Sequence, residues 1–127
     1  MDKISGKLFI GTFDEIETAL NETDIECVVN LSKKDTDQED ATDIPLDNQR
    51  PSEKNLKKAV DKVISHVSDG KKTLVCCRQG VSRSVAVTAK AYSEIENESF
   101  RSSLNRIERI RPRSNPSINI VEKLSEI

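Results

Sequence analysis

The segment from Thr73 to Ser93 constrains the fold most, because it places an apolar strand, a glycine-containing loop and a helix in immediate succession. Thr73–Cys76 is a short, uninterrupted apolar run, the pattern of a strand buried on both faces of a sheet. The helix begins at about Arg83. Strands that enter helices in this way are typical of parallel sheets, whose neighbouring strands are joined by helical crossovers. The segment therefore favours an α/β fold.

The rest of the chain continues this alternation. Strands are predicted at 8–10 and 26–31, a short extended piece at 44–46 and a polar surface loop at 32–43. Helices are predicted at 14–20, from Ser52 to Gly70, at 100–110, and briefly after Pro116. The chain has 127 residues and no internal repeat or linker, so we expect one domain spanning 1–127. Its predicted architecture is a central, mostly parallel sheet flanked by helices.

Composition narrows the function classes. Charged residues make up 33% of the chain but nearly cancel to −2, which gives no general reason to expect nucleic acid or an anionic membrane as a partner. No apolar stretch is long enough to span a membrane, and the first residues show no secretory pattern. Three cysteines do not suit a disulfide framework. A reducing, cytoplasmic setting is the expectation.

The loop between the strand and the helix carries the chemistry. It reads Cys77-Arg78-Gln79-Gly80-Val81-Ser82-Arg83-Ser84. A loop that curls into a helix N-terminus turns backbone N–H groups toward one point, so residues 78–83 are expected to bind an oxyanion. The same donors stabilise a thiolate at Cys77, while Arg83 can meet two phosphate oxygens through its planar fork. The Ser84 hydroxyl can donate to the sulfur and improve it as a leaving group.

Cys77–Ser84 matches the Cys-x5-Arg-Ser loop of the protein tyrosine phosphatase superfamily, and Gly-Val-Ser-Arg-Ser resembles its dual-specificity branch. Weaker landmarks of that family follow in the same order over most of the chain: 7–11, 28–32, 44–47, 110–112 and 115–116. The resemblance implies a compact phosphatase fold and hydrolysis of phosphate monoesters through a cysteinyl-phosphate intermediate. It implies phosphotyrosine or phosphoserine/threonine in proteins as substrate, and no metal or organic cofactor.

Two positions depart from the family pattern. Cys76 stands where the family usually has a histidine that helps to hold the loop. The family's general acid is an Asp about thirty residues before the nucleophile. Asp47 lies 30 residues before Cys77, but many members place the acid one position later, at Asn48 here. We predict that Asp47 is the acid; the competing interpretation is that it only forms an Asx-turn. Asp43 is a more distant candidate, since it precedes the extended piece at 44–46.

Several alternatives stay open from the sequence alone. The chain could be a phosphate-binding module with weak or no turnover, or act on RNA 5′-phosphates or another non-protein substrate. A Cys–His hydrolase would pair Cys77 with His66, the only histidine. Arg111 and Arg113 could attract an acidic substrate at the pocket rim. Cys76 either fills buried space only or forms a disulfide with Cys77 when Cys77 is oxidised. Cys27 is the alternative partner for such a disulfide.

Overall fold

The computed structural model describes residues 1–127 and contains one five-stranded sheet in the order β1-β2-β5-β3-β4. The strands are β1 (Asp2–Ser5), β2 (Leu8–Thr12), β3 (Cys27–Asn30), β4 (Ala41–Asp43) and β5 (Thr73–Cys77). The helices are α1 (Ile16–Glu22, after a 3₁₀ turn at Phe13–Glu15), α2 (Glu53–Ser68), α3 (Arg83–Glu96), α4 (Phe100–Ile110) and α5 (Ile118–Ser125). Only β1 is antiparallel to its neighbour, so the prediction of a mostly parallel sheet is confirmed.

The sheet separates two unequal cores. Successive residues of a strand point to opposite faces. Val75 and Cys77 of the central strand belong to the larger cluster, under α2, α3, α4 and α5. Leu74 and Cys76 belong to the smaller one, under α1. Because β5 lies in the middle and is covered on both faces, every one of its residues is buried, as its apolar run predicts.

Two edge strands differ from the sequence prediction. The strand that we expected at 44–46 lies at Ala41–Asp43, where it pairs with β3 from Val28 to Asn30. The chain stays extended as far as Leu46, but Pro45 has no N–H to continue the ladder. Strand β1 was not predicted at all. It buries only Ile4 and carries a register shift between Lys3 and Ser5, so it shows no apolar run.

The helix boundaries follow local chemistry. The Ser52 hydroxyl accepts from the Asn55 N–H and caps α2, as predicted. Helix α3 continues beyond the predicted Ser93 to Glu96 and ends at Asn97, which takes the left-handed conformation with φ of 54°. No helix combines the length and the apolar character that crossing a bilayer requires.

Candidate active site

The loop from Cys77 to Arg83 lies at the carboxyl end of the central strand, the edge at which parallel sheets bind ligands. Cys77 is the last residue of β5 and Arg83 the first residue of α3, so the chain must turn sharply between them. Gly80 makes that turn with φ of +67°. The loop surrounds a cavity of about 200 Å³ lined by Asn48, Cys77, Arg78, Gln79, Val81, Ser82 and Arg83.

Cys77 is placed to be a thiolate. Its side chain is only 2% exposed. Burial raises the pKa of the thiol, but hydrogen bonds from the Ser84 hydroxyl and the backbone N–H groups of Ser84 and Gly80, with the charge of Arg83, outweigh burial and lower the pKa below its usual value. The distance from Cys77 Sγ to Ser84 Oγ is 3.2 Å. The sequence-predicted nucleophile, its serine and its arginine therefore lie together.

Three carbonyls of the loop accept hydrogen bonds from other residues of the chain, whereas several of its backbone N–H groups have no oxygen partner. The carbonyl of Gly80 accepts from Arg111 Nε at 2.7 Å and that of Val81 from the Asn115 N–H at 2.7 Å. The carbonyl of Ser82 accepts from the Ala86 N–H in the first turn of α3. The backbone N–H groups of residues 79–82 donate to no oxygen of the chain. These donors and the N-terminus of α3 form a site for a tetrahedral oxyanion.

Arg83 reaches the same cavity with a fixed orientation. Its Nη1 donates to the carbonyl of Leu46 at 3.1 Å and more weakly to that of Leu31 at 3.5 Å. Its Nε is buried without a hydrogen-bond partner. A buried, unpartnered donor is costly unless a ligand meets it, so the guanidinium is arranged to bind an anion.

Substitution of Gly80 tests this loop geometry directly. A Cβ at Gly80 would lie 2.6 Å from Arg111 Nη2 and 2.7 Å from the carbonyl oxygen of Gly11, in addition to the cost of a positive φ. We expect Gly80→Ala to lose about 1–3 kcal/mol of unfolding free energy and most of its oxyanion affinity. Urea denaturation with and without vanadate measures both effects. Gly6→Ala, which meets nothing within 4 Å, is the matched control. Equal stability and vanadate affinity of the two variants would refute this role of Gly80.

Arg111 corrects a sequence prediction. Instead of lying at the pocket rim, its side chain is only 3% exposed and contacts the carbonyl of Gly80 in the loop. Besides binding Gly80, it donates through Nη1 to Asp2 Oδ2 at 2.6 Å. Arg111 thus links the loop from Cys77 to Arg83 to strand β1 and is not available to attract substrate. Arg113, two residues later, is exposed.

Asp47 lies beside the cavity but does not line it. Its carboxylate accepts from Lys33 Nζ at 2.5 Å and from the N–H groups of Gln49 and Arg50 at 2.8 and 3.0 Å. The Lys33 hydrogen bond, followed by those from Arg50 and Gln49, holds the pKa of Asp47 well below its usual range. The Asx-turn interpretation describes this arrangement well. The role of Asp47 as general acid stays a prediction.

Asn48 takes the place facing the cavity. Its Oδ1 accepts from the Ser82 hydroxyl at 2.8 Å, and its carbonyl accepts from the Ser117 hydroxyl at 2.8 Å. The Ser117 N–H in turn donates to Ser82 Oγ at 2.8 Å. Ser82 and Ser117 therefore connect the segment around Asn48 to the loop from Cys77 to Arg83. The docking role of Ser117 was missed, because nothing in its local sequence indicates a partner 69 residues away.

The remaining candidates do not join the site. Cys76 is fully buried on the opposite face of β5 from Cys77, and burial raises the pKa of its thiol. Cys27 pairs in register with Thr73 and so lies three residues along the strand from Cys76. His66 packs near the turn that precedes β5, since its carbonyl accepts from the Lys71 N–H, whereas Cys77 ends that strand. This geometry favours packing roles for Cys76 and Cys27 and excludes a Cys77–His66 pair.

Comparison with known proteins bears on this arrangement. The sequence model of the family described as "Dual specificity phosphatase, catalytic domain" matches residues 8–127. The chain belongs to the dual-specificity phosphatase family. It is thus a cysteine-dependent phosphatase domain, and the resemblance seen in its sequence is confirmed. No curated protein sequence matches the chain.

Solved structures of dual-specificity phosphatases have the same fold. Human DUSP28 superposes with a TM-score of 0.83 at 21% identity, covering 99% of this chain and 94% of that one. DUSP15 gives a TM-score of 0.86 at 22% identity, with 99% and 85% covered. A mouse putative dual specificity phosphatase complexed with zinc tungstate gives 0.83 at 23% identity, with 98% and 84% covered. At these identities the likeness establishes the phosphatase fold.

Proposed function

We propose that this domain hydrolyses phosphate monoesters in proteins, phosphotyrosine or phosphoserine/threonine, through a cysteinyl-phosphate intermediate in a cytoplasmic setting. The observation that carries the proposal is the buried Cys77 sulfur, which accepts hydrogen bonds from Ser84 and Gly80 at the base of an oxyanion cavity. The tungstate complex of the mouse relative supports oxyanion binding in this fold. Residues 78–83 and the Arg83 fork would hold the phosphoryl oxygens.

The reaction has two displacements. The Cys77 thiolate attacks phosphorus, the P–O bond to the leaving group breaks, and the leaving oxygen receives a proton from Asp47. Water then attacks the phosphocysteine and gives its proton to Asp47 as the S–P bond breaks, which releases inorganic phosphate and regenerates the thiolate. The Ser84 hydroxyl stabilises the departing sulfur in this second step. Fixed donors supply the charge stabilisation that phosphoryl transfer requires.

Proton donation by Asp47 to the leaving group is the least efficient step of this mechanism. An acid must be protonated while Cys77 is ionised, yet the Lys33 ion pair keeps Asp47 ionised to low pH. Only a small fraction of the protein molecules then has Asp47 protonated and Cys77 ionised at the same time. Asp47 can act as the acid only in those that separate it from Lys33, so the domain should prefer phosphate esters with good leaving groups.

Substitution of Asp47 tests this assignment. Asp47→Asn should slow esters with poor leaving groups by about 10²-fold or more and leave activated aryl phosphates within about threefold. A rate that depends on a protonated acid falls as pH rises through the pKa of that acid. Asp47→Asn should therefore remove the descending alkaline limb of the pH–rate profile.

Lys33→Gln should move the same limb to higher pH, because loss of the ammonium lets the pKa of Asp47 rise toward its usual value. The ascending limb, set by Cys77, should stay in place. Asp43→Asn is the matched control on the same segment. If leaving-group dependence and pH profile are the same in all four proteins, Asp47 is not the acid.

A second candidate function rests on Asn48. An amide, which cannot supply a proton, faces the cavity at the position where many members of the family carry the acid. A phosphate-binding module with weak turnover would have this arrangement. Such a module would bind a phosphopeptide with Cys77 intact but release less than one phosphate per protein molecule in a single-turnover experiment.

A further inference from the structure

A second cavity adjoins the oxyanion cavity. It has a volume of about 480 Å³ and is lined by Phe13, Asp14, Ser32, Lys33, Lys34, Arg78 and Arg83. Arg78 and Arg83 line both cavities, whereas Cys77 belongs only to the smaller one and the two lysines only to the larger one. The two cavities therefore lie side by side and have two arginines, Arg78 and Arg83, in common.

The charge of this second cavity is strongly one-sided. Four of its lining side chains are cationic, and Asp14 is the only carboxylate among them. Lys33 forms an ion pair with Asp47, which neutralises part of its charge. The side chain of Lys33 is 64% exposed in that pair and that of Asp47 is 39% exposed. The Lys34 ammonium lies 5.1 Å from the centre of the Phe13 ring and has no salt bridge. A concave surface with surplus charge of one sign concentrates ions of the other sign.

We propose that this second cavity is a recognition subsite for another anionic group of the substrate, a carboxylate or a second phosphate on a residue near the phosphorylated one. The inference rests on the proposed function, because it assumes that the first phosphate occupies the cavity above Cys77. Lys33, Lys34 and Arg78 are the specificity-determining residues. The selected substrates are phosphopeptides with acidic or multiply phosphorylated sequence around the target residue.

The division into two cavities favours a peptide over the 5′ end of an RNA. The phosphates of a 5′-triphosphate are joined through single bridging oxygens, so they lie closer together than two anionic side chains on one face of an extended peptide. In an extended peptide, residues are spaced by about 3.3 Å, and alternate side chains on one face by about 7 Å, a spacing that suits two neighbouring cavities better than one. Single-stranded RNA is usually bound through aromatic side chains on which its bases stack, and a peptide does not require them. Phe13 is the only aromatic residue that lines the second cavity.

Lys33 connects this subsite to the acid loop. An anion bound in the second cavity competes with Asp47 for the Lys33 ammonium. When it succeeds, Asp47 loses the ion pair that holds its carboxylate in the resting position. A flanking acidic group should thus raise kcat for esters with poor leaving groups, in addition to lowering KM. An electrostatic preference that acted on binding alone would change KM and leave kcat unaltered.

The test uses the full chain and matched phosphotyrosine peptides whose flanking residues are Glu or Gln, with a third peptide carrying a second phosphoserine. We expect kcat/KM to be about 3- to 10-fold higher for the anionic peptides, and this ratio to shrink in 0.5 M salt, where the Debye length falls to about 4 Å. Lys34→Gln and the Lys33→Gln/Lys34→Gln double variant should reduce the ratio in that order. Lys57→Gln, a surface lysine paired with Glu53 on α2, should keep it.

Three results would overturn the proposal. Equal kcat/KM for Glu and Gln peptides, with phosphate released from both, would reject the subsite and leave the phosphatase function standing. Release of phosphate from a 5′-triphosphorylated RNA in clear preference to every peptide would replace the peptide ligand with RNA. No release from any substrate would reject the proposed function, and the subsite with it.

Discussion

Replacement of Cys77 by serine is expected to reduce phosphate release on the order of 10⁴-fold or more, because a serine hydroxyl at this site stays protonated and is a far weaker nucleophile than the thiolate. The isosteric change keeps the hydrogen bonds of the loop, so the variant should still bind vanadate or a phosphopeptide. Initial rates with an aryl phosphate and a binding isotherm measure the two properties separately.

Cys27→Ser is the matched control for this substitution. Its sulfur lies 3.3 Å from Thr73 Oγ1, a contact that a serine hydroxyl can preserve, and it lies outside the site. We expect this control to keep activity within a few-fold of the wild type. Near-normal turnover by Cys77→Ser would mean that another group attacks phosphorus.

Substitution of Arg83 by lysine should lower kcat/KM by about 10²- to 10³-fold although the positive charge is kept. The guanidinium uses Nη1 to bind the Leu46 carbonyl while its buried Nε stays available to a phosphate oxygen. A lysine ammonium is a single point of charge and cannot hold the carbonyl and two phosphate oxygens in one plane. The loss should appear in kcat as well as in KM, since the contact strengthens in the transition state.

Arg113→Lys provides the comparison, because this arginine is exposed and is not among the residues that line either cavity. It should stay within about twofold of the wild type. If Arg83→Lys and Arg113→Lys behave alike, bidentate geometry at Arg83 does not contribute to catalysis.

The sequence predicts the parts of this structure that depend on local pattern. Strands β3 and β5 are apolar along their whole length because both faces are covered, and α2 shows a regular apolar stripe. The phosphate-binding loop is contiguous, so its order of residues already fixes which groups meet. The edge strands β1 and β4 were beyond prediction, since each is held by pairing on one side and carries little buried apolar surface.

The supporting contacts of the site could not be read from the sequence. Arg111 meets Gly80 across 31 residues and Asp2 across 109, and Lys33 meets Asp47 across 14. Such contacts follow from the tertiary arrangement, and the residue types alone are compatible with solvent exposure. The resemblance to the family therefore suggested a position for Arg111 at the pocket rim, and the spacing to Cys77 selected Asp47 without revealing its lysine partner.

Direct detection of the phosphocysteine tests the proposed mechanism most closely. The wild-type domain is mixed with an aryl phosphate in the presence of a chelator, quenched in acid within the first turnover and digested for mass spectrometry of the peptide that contains Cys77. We expect one phosphoryl group on Cys77, absent from Cys77→Ser and unaffected by the chelator. Sustained turnover with no phosphoryl group on Cys77 at any quench time would contradict it.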